Sequence, residues 1–161
     1  MWLAWFLIEI LTGFSDICAK TGDENLGRTY LRRAAELAAL VEEHAWDGKW
    51  YRRAYFDDGS PLGTHENSEA KIDSLPQSWA AICGAADPER TKTALTSAYE
   101  HLVRPEDQLS LLFTPPFEHT DHDPGYIKAY PPGVRENGGQ YTHAAIWLAI
   151  AHARIGLNTN A

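Results

Sequence analysis

The chain opens on a segment in which Trp2, Trp5, Phe6, Ile10, Phe14 and Ile17 recur close to the 3.6-residue period of an α-helix. Leu3, Leu7, Ile8 and Leu11 extend the apolar surface almost all the way round, which predicts a helix buried on most sides. Such a segment normally packs against something that precedes it, so the chain is expected to begin inside a larger domain. The opening MWLAWFLIEIL has no basic residue ahead of it, is interrupted by Glu9 and falls short of the ~20 apolar residues of a bilayer crossing, which argues against a leader or anchor.

Further periodic segments follow. Leu26 to His44 carries Leu31, Ala34, Ala35, Leu37, Ala38 and Val41 along one stripe, with Arg32, Arg33, Glu42 and Glu43 off it. The aromatic and Arg-rich stretch Trp46 to Phe56, with turn residues from Asp57 to Gly63, predicts a short hairpin or an irregular aromatic loop. Asp73 or Ser74 can cap a short buried helix that stops near Gly84, and Asp87-Pro88 starts another. LSLLF has the size of a strand, and a proline-rich loop runs on to Gly133. A last helix is expected from about Tyr141 to Ile155, stopped by Gly156. The sum is a mainly α chain of about five helices with long loops.

At 161 residues the chain is long enough for one core. Its net charge of −8 argues against a nucleic-acid or anionic-membrane partner, because those surfaces are met by clustered Lys and Arg. Two cysteines, Cys18 and Cys83, form no CxxC pair and read as buried thiols of a reducing compartment. No nucleophile elbow, Walker loop or dinucleotide fingerprint occurs.

Chemistry concentrates in PPGVRENGGQYTH. Gly138 and Gly139 permit positive φ or close backbone approach, and amides at the start of a helix favour an anion. Arg135 offers a planar fork, Glu136 accepts from hydroxyls, and His143 lies in the first turn of the helix. The plainer alternative is that Arg135 and Glu136 merely pair, Asn137 caps, and His143 is a core histidine. Gln77 could reach a ligand hydroxyl or serve as a cap or core hydrogen bond. His119, Asp121, His122 and Asp123 are too crowded to converge on one ion, so no metal is expected. The aromatics Trp46, Trp50, Tyr51, Tyr55 and Phe56 fit either a sugar platform or a core.

Three segments carry a resemblance: HAWDGKWYRRAYFDDGSPLG with ENSEAKIDSLPQSWA, then LLFTPPFEHTDHDPGYIKAYPPGVRENGGQYTHAA, and the opening WLAWFLIEIL. Together they resemble the catalytic domain of glycoside hydrolase family 94, which includes cellobiose, chitobiose and β-1,2-oligoglucan phosphorylases and the C-terminal region of cyclic β-1,2-glucan synthases. The resemblance implies a partial (α/α)6 barrel, with residues 1–161 as a C-terminal portion of a phosphorylase-like domain. It implies inverting phosphorolysis of a β-linked glucan to glucose 1-phosphate, with inorganic phosphate as co-substrate and no other cofactor.

By the same resemblance His143 matches a phosphate-binding histidine, Glu136 matches a sugar-contacting acid, Arg135 sits where the family has a basic residue beside that Glu, and Gln77 is a weaker sugar contact; the cradle of Gly138 and Gly139 adds its own expected contact to phosphate, and Arg135 an expected contact to sugar. The family's catalytic aspartate, in an Asp-Trp-Asn-Asp-Gly type segment, has no counterpart here, so the general acid is expected from elsewhere. A homo-oligomer or a complementing N-terminal portion would complete the site, in the cytoplasm or at the inner membrane if the parent is a cyclic glucan synthase. The alternatives are a non-catalytic carbohydrate- or anion-binding, self-associating helical module, and an inactive truncated product.

Overall fold

The computed structural model describes residues 1–157. Helix α1 (Trp2–Thr21) turns through Gly22 into α2 (Glu24–His44), whose first turn is capped by the Asp23 carboxylate. After an aromatic loop, strands β1 (Ala54–Tyr55) and β2 (Pro61–Leu62) form the expected hairpin in the register Ala54↔Leu62. Strand β3 (Ile72–Asp73) runs into α3 (Ser74–Cys83), where Asp73 is the N-cap and Gly84 the left-handed stop. Helix α4 (Pro88–Leu102) starts on the Asp87 cap with Pro88 in its first turn.

The run LSLLF does not form one strand. It divides into β5 (Leu109–Ser110), paired with β4 (Val103–Arg104), and β6 (Phe113–Thr114), paired with β3. The segment changes partner because its two ends meet different neighbours, α4's exit and α3's entry. A single 3-10 helix, Gly125–Ala129, interrupts the long loop before α5 (Thr142–Arg154).

Helices α1, α3 and α5 stand in one row with α3 in the middle, while α2 backs α1 and α4 backs α3. This mainly α arrangement of five helices is consistent with the partial (α/α)6 barrel that the resemblance implies. Eight of α3's ten residues are buried, as expected of a central element. Trp2 and Phe6 of α1, Trp79 of α3 and Trp147 of α5 meet in one aromatic cluster, with Phe6 to Trp79 at 4.8 Å and Trp79 to Trp147 at 5.1 Å. Trp5 is fully buried, edge-on to Tyr51, and a side chain of that size contributes roughly 2–3 kcal/mol by leaving water.

Helix α1 corrects the expectation that it is buried on most sides. Trp5, Ile8, Ser15 and Cys18 are covered, while Leu3, Phe6, Leu7, Ile10, Phe14 and Ile17 face outward. Its 20 residues are also long and apolar enough to cross a membrane by length and composition, unlike the shorter run read from the sequence. Of the two thiols, Cys18 is buried and Cys83 is half-buried.

Glu42 joins three of these elements. Its carboxylate accepts the Tyr51 hydroxyl at 2.6 Å, the Asp87 amide at 2.9 Å and Arg90 Nη1 at 2.7 Å. Burial and that carboxylate push the Tyr51 phenol far up, so it remains a donor. Replacing Glu42 by Ala orphans a mostly buried hydroxyl, and a loss of about 2 kcal/mol is expected in urea unfolding. Tyr51→Phe with Glu42→Ala should recover part of it, because no unpartnered hydroxyl then remains.

Candidate functional site

The loop before α5 has little regular structure, so its backbone groups need other partners. Asn137 supplies them. It is fully buried, and its Oδ1 accepts the Phe117 amide at 2.7 Å while Nδ2 donates to the Phe117 carbonyl at 2.9 Å and the Tyr130 carbonyl at 2.8 Å. Its backbone closes the turn as well, accepting from Gly133 N–H and donating to Val134 C=O. Asn137 therefore ties three parts of the loop together and does not cap α5.

The turn forces Arg135 into the left-handed region at φ 51°, a conformation that costs a non-glycine residue about 1–2 kcal/mol. The two glycines are needed for contact within the protein. A Cβ on Gly139 would lie 2.8 Å from the Gly133 carbonyl oxygen, and one on Gly138, at φ 80°, would lie 3.0 Å from that of Phe113. The Gly139 amide donates to the Arg135 carbonyl, so this N–H already has a partner.

Polar groups gather where the turn meets the helix. Glu136 is mostly buried; its Oε1 accepts the Tyr141 hydroxyl at 3.2 Å, while Oε2 is buried without a hydrogen-bond partner among the described residues. Arg135 Nε lies 3.5 Å from Oε2, an ion-pair distance without hydrogen-bond geometry, and the guanidinium sits 4.9 Å from the Tyr130 ring centroid. The hydrogen bond to Glu136 and its charge push the Tyr141 phenol upward.

His143 is exposed in the first turn of α5, edge-on to Tyr141 at 4.6 Å and to Trp147 at 4.8 Å. Whereas Asp23, Asp73 and Asp87 cap α2, α3 and α4, no side chain caps α5. The helix dipole at this uncapped start favours an anion beside His143.

Gln77 is not part of this surface, which corrects its expected sugar contact. It is fully buried: Oε1 accepts the Tyr51 amide at 2.8 Å, and Nε2 donates to the carbonyls of Tyr51 and Asp73 at 2.8 and 2.9 Å. Both Nε2 hydrogens and one Oε1 lone pair are engaged, and full burial keeps the side chain from this surface. Trp50 and Tyr51 are likewise core, while Tyr55 is exposed and Phe56 stacks on His122 at 4.5 Å. His122 joins Asp58, whose carboxyl is held down at about 2, chiefly by the Ser60 hydroxyl and amide.

Two residues beside the candidate site have roles not assigned from the sequence, where Asn137 is expected as a cap. Asn137 carried a signal, since a carboxamide can satisfy both the N–H and the C=O of one peptide residue. Tyr141 appeared only as the start of a helix, and its contacts to Glu136 and His143 depend on the turn between them.

The description "Glycosyl hydrolase 94 superfamily, catalytic domain" matches residues 1–161. The chain belongs to this family. It is 48% identical over 153 residues to the cyclic beta-(1,2)-glucan synthase NdvB of Rhizobium meliloti (strain 1021), covering 95% of the chain and 5% of that protein. It is 32% identical over 155 residues to a cellobionic acid phosphorylase of Neurospora crassa, covering 96% of the chain and 19% of the relative. An N,N'-diacetylchitobiose phosphorylase of Vibrio proteolyticus is 30% identical over 154 residues, with coverages of 94% and 18%. The chain thus spans a fifth or less of these relatives.

Replacing Asn137 by Ala leaves buried backbone groups at Phe117 and Tyr130 unpartnered, and a loss of about 3 kcal/mol is expected in urea unfolding, with cleavage between residues 117 and 137 in limited proteolysis. Asn137→Asp should be at least as damaging at neutral pH, because a carboxylate then faces two carbonyls. Its deficit should narrow as pH falls, since protonation restores one donor.

Proposed function

We propose that this chain forms the phosphate- and sugar-contacting wall of a glycoside phosphorylase site acting on a β-linked glucan. The observation that carries the reading is the junction between loop and helix: a buried Glu136 oxygen that accepts no hydrogen bond among the described residues, ion-paired with Arg135, beside an exposed His143 on an uncapped helix start. In this reading the His143 ring and the first-turn amides of α5 hold inorganic phosphate. Glu136 Oε2 accepts a sugar hydroxyl, and Arg135 lies beside it. Gly138 and Gly139 act by letting the turn close.

In the reaction so assigned, a phosphate oxygen attacks the anomeric carbon from the face opposite the glycosidic oxygen. A carboxylic acid outside these residues gives that oxygen its proton, and inversion yields glucose 1-phosphate and a shortened glucan. Phosphate takes the place of the water and base of an inverting hydrolase.

The test is phosphate binding followed by isothermal titration calorimetry, together with a glucose 1-phosphate assay on β-1,2-glucooligosaccharides. Phosphate should bind the wild-type chain, and His143→Ala should weaken binding about tenfold or more through loss of a charge-assisted contact. Neither protein should release glucose 1-phosphate on its own. Equal phosphate affinity in the two proteins would sink the assignment of His143, and turnover by the chain alone would sink that of the external acid.

A second reading, a non-catalytic self-associating module, draws on the outward apolar residues Leu3, Phe6, Leu7, Ile10, Phe14 and Ile17 of α1. It expects a concentration-dependent sedimentation coefficient and no effect of His143→Ala on phosphate.

A further inference from the structure

Tyr141 stands between the two groups of the proposed site. It is the last extended residue before α5, at φ −116° and ψ 115°, and its side chain makes no capping bond. The chain direction there turns the side chain back over the loop it has just left. Its hydroxyl donates to Glu136 Oε1 at 3.2 Å, and its ring meets the His143 ring at 4.6 Å and 87°. The ring is itself anchored, half-buried against the cluster of Leu62, Ala70, Leu112, Phe113, Phe117 and Ala144.

We infer that Tyr141 is a positioning residue that holds Glu136 and His143 in fixed register, so that the sugar-side carboxylate and the phosphate-side imidazole are oriented by one side chain. The inference rests on the phosphate and sugar roles proposed above.

Three features support it. First, the phenol uses Oε1 of Glu136 and leaves Oε2 as the oxygen that accepts no hydrogen bond among the described residues, so it selects which lone pairs a ligand hydroxyl can meet. Second, His143 has aromatic rings on two sides, and Trp147 on the far side is fixed by Trp79 at 5.1 Å and Trp2 at 5.8 Å. With Trp147 held by the helix row, Tyr141 is the remaining wall that sets the imidazole rotamer. Third, the raised titration of the phenol keeps it a donor across the neutral range.

The two contacts can be separated by substitution. Tyr141→Phe removes the hydroxyl and retains the ring, whereas Tyr141→Leu removes both. On the full chain, the imidazole C–H resonances of His143 carry ring-current shifts that report its packing without any ligand. They should stay near wild-type values in Tyr141→Phe and move in Tyr141→Leu. Inorganic phosphate followed at the same resonances should bind about fivefold more weakly to Tyr141→Leu, a loss typical of an aromatic contact, and within about twofold of wild type to Tyr141→Phe.

The hydroxyl arm is read separately. The Tyr141 ring should titrate at lower pH in Glu136→Gln than in wild type, because the carboxylate that favours the neutral phenol is gone.

The inference is overturned if the His143 resonances or the phosphate affinity of a folded Tyr141→Leu chain match wild type, or if the Tyr141 titration ignores Glu136→Gln. If Tyr141→Leu loses its resonance dispersion, the Phe variant and the tyrosine titration decide. A wild-type chain whose His143 ignores phosphate overturns the phosphate reading alone, while the ring-current and titration arms still decide the role of Tyr141.

Discussion

Two buried carboxamides hold together the parts of this protein that have no regular structure. Gln77 satisfies both the N–H and the C=O of Tyr51 and one further carbonyl, that of Asp73; Asn137 does the same for Phe117 and Tyr130. Each acts as a one-residue piece of sheet, giving a loop the pairing that a strand would have supplied. Without them, polar backbone would lie buried beside Trp50, Tyr51 and Phe117 with neither water nor a ladder to meet it. Both side chains are fully buried, which makes these bonds strong and their loss costly.

The candidate site follows from that arrangement. Gln77 fixes the aromatic loop to α3, and Asp73, at the head of the same helix, pairs with Arg53 while β3 pairs with β6. Gly138 then packs on the Phe113 carbonyl of β6, so the turn bearing Arg135 and Glu136 rests on a chain of contacts that begins in the core. Helix α5 is held from its other side by the aromatic cluster with α1 and α3. The junction between turn and helix is therefore placed by two supports that both reach α3. The proposed ligand contacts lie at this junction.

Local signals made the helices legible. Asp73, Asp87 with Pro88, Gly84 and Gly156 each act within a turn of chain, and every one of them begins or ends a helix where its chemistry requires. The motif ENGGQYTH stood out as a candidate site because its residue types are unusual at a helix start, and the family match spans it with the rest of the chain. Long-range closures were not legible. Asn137 bonds Phe117 across 20 residues, Gln77 bonds Tyr51 across 26, and LSLLF splits between two partners that no period could name. The outward face of α1 was misread for a related reason, since apolar periodicity says that a face seeks cover and not whether residues 1–157 supply it.

The loop from Phe117 to Asn137 is closed at its base by one side chain, while Tyr126 near its middle is 68% exposed. Glu69 accepts the His119 and Thr120 amides and His122 stacks on Phe56, so those residues stay held elsewhere, and releasing the base frees chiefly the later part of the loop, with Glu136 at its edge. Loop closure and site assembly are then a single cooperative equilibrium. A ligand held by Glu136 draws its stabilising effect through that equilibrium, and distant changes that loosen the base act on affinity without touching any atom of the ligand.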